Sequence, residues 1–277
     1  MRTGSLRSAW SPRDAVENSV SSDSSDIFLY DVRNLPTSLR VAFALRQMLE
    51  DPGTDLAQIE DLLRAEPVLA SALIRAANAS SYGSPMMHPS VSEAIQKLGF
   101  SAARVLSISL AVQQLQRGIG NASARLMAEE LWEFTFEVAC LCEAVAVFDR
   151  SPTPELSMLH GLTHTLPQFA FLASLNNSRT ARFDRSQILD LARRAHLPSL
   201  YRILTDLGLE ELAHPSEPDQ VRIDLAKTAT RMRSPFASEH DIPFDATILG
   251  PAEWFEQAQR RVDKLKLMIN SANAPRY

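Results

Sequence analysis

The chain has 277 residues, 45% of them hydrophobic, with 28 basic against 33 acidic side chains and a formal net charge of −5. That is enough for one large domain or two small ones with a sizeable core. The acidic balance excludes a broad nucleic-acid or anionic-membrane surface and leaves room only for a local basic patch. The two cysteines, Cys140 and Cys142, point to different faces if the segment is helical. They can neither bridge nor share a metal, and a buried, reduced pair in a cytoplasmic protein is expected. No signal-peptide core is visible. The most apolar run, 134–148, is interrupted by Glu137 and Glu143 and falls short of the ~20 apolar residues of a transmembrane helix.

Residues 1–26 read as a disordered, serine-rich tail, with five serines among the seven residues 19–25. The run Ile27-Phe28-Leu29-Tyr30 can pin that tail to a domain. From Leu35 the pattern turns helical. Pro36 suits a first turn, and Leu39, Ala42, Phe43 and Leu49 recur on one face. Asp51-Pro52-Gly53 stops that helix. Thr54 is the expected cap of the next, whose buried stripe is Leu56, Ile59, Leu62 and Leu63. Pro67 starts a third helix, and the Gly-, Pro- and Ser-bearing stretch 80–89 is a loop. Ser90 with Glu93 reads as a capping box for a fourth helix ending at Gly99, and Ser101 is the expected cap of a fifth.

Gly118 and Gly120 break the chain. Asn121 can then cap a long helix to about Phe148, with Leu126, Leu131, Trp132, Val138, Leu141 and Val145 available for burial. Thr153-Pro154 opens another helix, which Pro167 should end or kink. Further helices are expected near Asp184, Pro198, Pro218 and Pro251. Useful period-two alternation is absent. The pattern predicts an all-α, multi-helix bundle of roughly ten helices with short connections.

Certain residues in this order resemble the HDOD family of bacterial signalling proteins. They are Leu35-Pro36, Asp51-Pro52, Glu66-Pro67-Val68-Leu69, Asn78-Ala79-Ser80 with Tyr82-Gly83, Ala94-Ile95 with Leu98-Gly99, Leu131-Trp132 with Ala139, and Gly161-Leu162-Thr163-His164. The resemblance implies an HD-related helical domain over about 27–215, preceded by the 1–26 tail and followed by a C-terminal helical extension, 216–277. It also identifies where an HD phosphohydrolase would carry metal ligands that activate water. At the His-Asp doublet this chain reads His164-Thr165, and at the earlier histidine position it reads Phe134. The resemblance therefore implies a lost metal site, no catalytic residue and no cofactor.

Several residues allow a sharper reading beside a plain one. His160 and His164 are four apart and could share a helix face, which makes them the weak metal candidates. No Cys lies nearby and no third ligand follows, so hydrogen-bonded structural histidines are favoured. Asn78 at a helix end can bond loop backbone or contact a ligand, and Tyr82 can pack or act as a lid. Helices 90–98 and 101–117 imitate a helix-turn-helix. The second carries only Arg104 and Arg117 as basic residues around an apolar middle, so nucleic-acid binding is not expected. The final helix has a basic side, Arg260, Arg261, Lys264 and Lys266, opposite Trp254, Phe255, Val262 and Leu265. Docking on the domain is favoured there over protein contact, and protein contact over a membrane surface.

The expected function is a non-catalytic regulatory protein that binds a protein partner in a bacterial signalling pathway, or a small ligand. Candidate contacts are Asn78, Tyr82, Trp132, His164, Arg260 and Arg261. The alternatives are a residual metal-dependent phosphohydrolase with an altered HD site, and a DNA-binding regulator. The partner and the oligomeric state are not legible in the chain.

Overall fold

The computed structural model describes residues 37–79, 90–175, 183–195, 197–207, 209–230, 234–237 and 252–273. The 1–26 tail, the 27–30 run, Leu35-Pro36, the 80–89 loop with Tyr82 and His88, and His196 and His240 lie outside these residues. In chain order the helices are α1 (Thr37–Glu50), α2 (Leu56–Arg64), α3 (Pro67–Ala79), α4 (Val91–Leu98), α5 (Phe100–Arg117), α6 (Ala122–Phe148), α7 (Pro154–Thr163), α8 (Leu166–Ser174), α9 (Arg185–Arg194), α10 (Leu200–Asp206), α11 (Glu210–Ala213), α12 (Glu217–Ala229) and α13 (Ala252–Asn273). Among the described residues there is no strand, so the all-α expectation holds.

Local chemistry explains most of the helix ends. Asn121 accepts from the Ala124 N–H to start α6, and Ser90 accepts from Glu93 N–H to start α4. Asp184 and Gln187 form a reciprocal capping box at α9. Two expected caps are corrected. Asp55, not Thr54, caps α2, because its carboxylate reaches the Ala57 and Gln58 N–H groups and Gln58 returns the bond. Ser101 caps nothing. Gly99, at φ 82° and ψ 152°, turns the chain directly into α5, and α4 and α5 are bent by 112°. That conformation is essentially restricted to glycine.

The long α6 is the axis of the molecule. It makes its broadest contact with α7 and also packs on α5, α8, α12 and α13. Ala124, Met127, Leu131, Val138, Leu141 and Val145 face inward. Leu126, expected to be buried, is 58% exposed, because Met127 takes the inward position beside it. Cys140 and Cys142 are both free and buried. Burial pushes both thiols up, Cys142 to about 12, so both stay protonated and inert. Ten residues of α5 are buried, which agrees with a core helix rather than a recognition helix.

The C-terminal helix α13 lies across α3 and α6 and touches α5. Its apolar side is Ala258, Val262, Leu265, Met268 and Ile269. Two of its cations meet acids of α6: Arg261 forks onto Glu143 at 2.6 and 3.0 Å, and Lys266 pairs with Glu133. No single helix among the described residues is long and apolar enough to cross a membrane.

Candidate functional site

The site implied by the sequence lies where α6 passes the junction of α7 and α8. Two features bring the elements together. The first is Gly161 on α7. A Cβ built there would stand 2.6 Å from Ala139 Cα and 3.2 Å from Ala139 N and Cβ. The two helices therefore touch backbone to backbone, and only glycine fits. The second is the chain break at His164-Thr165. Pro167 occupies the first turn of α8, where its missing N–H is harmless. Inside a continuous helix its ring would clash with the carbonyl of Thr163, so the chain breaks before Pro167 instead of kinking at it.

This packing sets Phe134 and Thr135 of α6 against His164 and Thr165. The rings of Phe134 and His164 have centroids 5.9 Å apart, tilted by 60°. Thr135 and Thr165 are buried, and their hydroxyl oxygens are 2.7 Å apart. Thr135 Oγ1 already donates to Leu131 O at 2.6 Å. The shared proton must therefore come from Thr165, and both hydroxyl protons are used inside the protein.

His164 Nδ1 lies 2.6 Å from Gly161 O. A carbonyl only accepts, so Nδ1 carries the proton and Nε2 is the bare nitrogen. Nε2 is buried and has no partner among the described residues. Burial, helped by Lys227, lowers the His164 pKa to about 4, so the ring is neutral. His160 is also buried and held toward the neutral form by desolvation. It bonds the Leu212 backbone and faces Asp219 and Arg46. The two rings thus have different neighbours, and the expected shared face is not built into a ligand pair.

These residues do not fit a divalent metal. The junction offers one imidazole nitrogen, a phenyl ring and two hydroxyls bonded to each other. Among the described residues no group of three His, Cys, Asp or Glu is placed to hold an ion, whereas catalytic sites use about three protein ligands.

A polar cluster that the sequence did not disclose lies beside this junction. Asp219 of α12 accepts from Ser157 of α7 at 2.5 Å, from Ser216 at 2.6 Å and from Arg222 at 2.9 Å. Arg222 also reaches Asp149 at 3.3 Å. Both charges are nearly buried, Asp219 7% and Arg222 9% exposed. Burial opposes the Asp219 charge, but the three donors outweigh it and hold the carboxyl below its usual range. The sequence signals available were Ser216 three residues before Asp219 and Arg222 three after. They fasten α12 to α7 and do not converge on an open site.

The open space lies at the other end of α7. A cavity of about 470 Å³ is bounded by Arg46, Glu50, Arg104, Glu143 and the first turn of α7 at Glu155. Its charges are matched internally. Arg104 forks onto Glu155 at 2.6 and 2.7 Å, Arg46 meets Glu50 at 3.0 Å, and Glu143 is held by Arg261. Desolvation leaves the Glu143 carboxyl above its ordinary range despite that cation.

Of the expected contact residues, Asn78 is half-buried near the end of α3. Tyr82 lies outside the described residues. Trp132 is 5% exposed and packs on Phe136 with ring centroids 5.2 Å apart, so core packing accounts for it. Arg261 is committed to Glu143, while Arg260 is exposed beside Glu256 at 3.6 Å.

The HDOD domain model matches residues 35–197. This chain belongs to the HDOD family. Among solved structures it is similar to a Shewanella amazonensis SB2B protein described as a "putative metal-dependent phosphohydrolase", with 15% identity, 83% of this chain and 92% of that one covered, and a TM-score of 0.57. An HDOD domain protein of unknown function from Geobacter sulfurreducens aligns at 18% identity over 85% of this chain and 88% of that one, with a TM-score of 0.49. A second Shewanella amazonensis SB2B protein, a "putative phosphohydrolase", aligns at 20% identity over 90% and 99%, with a TM-score of 0.47. No curated protein matches the chain. At these identities the structural likeness speaks to the HD-related fold alone. The HDOD match ends at residue 197, after α9, and α10 to α13 follow it in the chain.

Proposed function

We propose that this HDOD protein is a non-catalytic signalling and regulatory protein of a bacterial cytoplasm, acting by binding a protein partner or a small ligand. The observation that carries the reading is the filling of the HD ligand positions. Phe134 replaces a histidine with a ring that cannot ligate, and Thr165 replaces the carboxylate with a hydroxyl already bonded to Thr135. Without a bound cation to activate water and neutralise charge, phosphoester attack loses its electrophile and its nucleophile together. What the domain keeps is surface. Asn78, Tyr82 and Arg260 are the proposed contact residues, since the His164 ring is buried and Arg261 is held by Glu143, and grooves between helices suit a peptide or a small ligand. The regulatory role rests on the family resemblance.

The competing reading, a phosphohydrolase with an altered site, draws on the name of the Shewanella protein. The two part in one assay. Protein incubated with phosphodiester substrates and Mn²⁺ or Mg²⁺ should show no turnover above buffer. Metal-dependent turnover that His164→Ala abolishes would overturn the proposal. Crosslinking capture with wild-type protein as bait then identifies the partner.

A further inference from the structure

Where α13 crosses α6, the polar side of α13 and the outer side of α6 do not close completely. Between them lies a groove of about 320 Å³ with Cys140, Ala144 and Val147 on its α6 wall and Gln257, Arg260 and Lys264 on its α13 rim. Glu143 and Val147 also bound the larger cavity, so the two spaces adjoin across these residues. At the groove's end Val147 and Phe148 are 43% and 50% exposed. Trp254 packs edge-on against Phe148 with ring centroids 5.4 Å apart, and its Nε1–H is buried without an acceptor among the described residues. The acid that would neutralise the rim, Glu143, is already held by Arg261. Among the described residues the exposed Arg260 has a 3.6 Å surface contact with Glu256, and the exposed Lys264 forms no ion pair and only feels the Glu143 charge. This is a slot with one largely apolar wall on α6, a polar, positive lip on α13 and, beside it, a donor unsatisfied among the described residues.

We infer that the groove between α6 and α13 is the docking site of the chain's own N-terminal segment, Asp23–Asp31. Its sequence is DSSDIFLYD. It sets four apolar residues, Ile27 to Tyr30, between Asp26 and Asp31, with Asp23 one turn's length upstream. From Asp14 to Val32 the chain holds five acids and no base. Charge and shape thus match the slot: an aromatic residue for the α6 wall and carboxylates for Arg260 and Lys264. Surface pairs of this kind are worth little singly, so docking needs the carboxylates and the apolar insertion together.

The length of chain permits it. Phe28 stands nine residues before Thr37, where α1 begins, which is up to ~30 Å of extended chain. The 14 residues of α1 cover ~21 Å, and the far end of that helix, at Arg46 and Glu50, already borders the adjoining cavity. The docked segment would cover the basic face of α13 that a partner would otherwise meet. The inference concerns contacts within this chain and does not depend on whether the protein hydrolyses anything.

The test uses the full-length protein with benzoylphenylalanine in place of Phe28, irradiated and digested for mass spectrometry. Crosslinks are expected on residues 140–148 of α6 and 254–264 of α13. They should be lost in Arg260→Glu/Lys264→Glu, and separately in Asp26→Asn/Asp31→Asn. Both rim side chains are exposed, so helix content should be unchanged by either pair. Mixing light and heavy isotope-labelled chains separates sources: light–light and heavy–heavy crosslinks alone support docking within the chain, while mixed crosslinks mean a second copy and overturn it. Crosslinks elsewhere, no crosslink, or crosslinks that survive both charge changes overturn it as well. In those outcomes the acidic connector with Asp241, Phe244 and Asp245, or an external acidic peptide, becomes the occupant to test.

Discussion

The backbone-to-backbone approach of α6 and α7 at Gly161 is open to a one-carbon perturbation. Gly161→Ala adds a methyl carbon that would stand 2.6 Å from Ala139 Cα and 3.2 Å from its N. Carbon atoms at rest are ~3.5–4 Å apart, so α6 and α7 must separate by about 1 Å. The obstacle is backbone and cannot rotate away. Overpacking of this kind costs ~1–3 kcal/mol, and a rigid wall places it at the upper end. A helical Gly→Ala change otherwise returns ~0.5–1 kcal/mol. The net expectation is a loss of about 2 kcal/mol, read as a lower urea midpoint at unchanged slope. Gly118→Ala is the internal control. The nearest atoms to its built Cβ are carbonyl oxygens at 3.6 and 3.8 Å, and its φ of −75° is ordinary, so it should be neutral or slightly stabilising. Because the contact is with Ala139 Cα itself, adding Ala139→Gly should rescue Gly161→Ala only in part. A Gly161→Ala protein as stable as Gly118→Ala would refute the close approach of α6 and α7, and with it the geometry of the junction.

Three further expectations concern the buried polar groups. His164 is neutral in the folded chain, with a pKa near 4 against ~6.5 when unfolded. The unfolded state therefore binds more protons, and stability should fall as pH drops from about 6.5 to 4, by about 3 kcal/mol in all. His164→Asn, which keeps a donor for Gly161 O, should flatten that slope in urea titrations, and an unchanged slope would contradict the assignment. Thr165→Val removes one buried hydroxyl bond while Thr135 keeps Leu131 O. It should cost about 1 kcal/mol, whereas Thr165→Asp, placing a carboxylate against Phe134 and Thr135, should cost several times that near pH 7 and recover as pH falls. Asp219→Ala leaves the nearly buried Arg222 guanidinium with Ser157 Oγ at 3.3 Å and, as its counter-charge, Asp149 at 3.3 Å. A loss of about 3 kcal/mol, insensitive to salt, is expected in thermal or urea unfolding.

The all-α architecture and most helix starts were legible because the informative residues are local. Asn121, Ser90 and Asp184 cap within three residues of themselves. Thr54 and Ser101 misled where two candidates stood side by side. Asp55 has Gln58 at the reciprocal position, and Gly99 takes the cap position of α5 two residues ahead of Ser101. Leu126 misled because Met127 lies one step around the helix and is as apolar. The junction of Phe134 with His164-Thr165 followed from the resemblance, and the structure brings those stretches together. What no local pattern could reveal is pairing over long sequence separation. Asp219 with Ser157, Arg261 with Glu143 and Lys266 with Glu133 each look like solvated helix charges until α12 and α13 are laid on α6 and α7.

The central claim is that the HD position has been rebuilt without metal ligands. Metal content per chain tests it most directly, measured by elemental mass spectrometry on protein purified without chelator or histidine tag. A stoichiometry near zero for manganese, iron, zinc, cobalt and nickel, unchanged by His164→Ala, is what Phe134 and the Thr135–Thr165 pair predict. One or two ions retained per chain, and lost in His164→Ala, would contradict it.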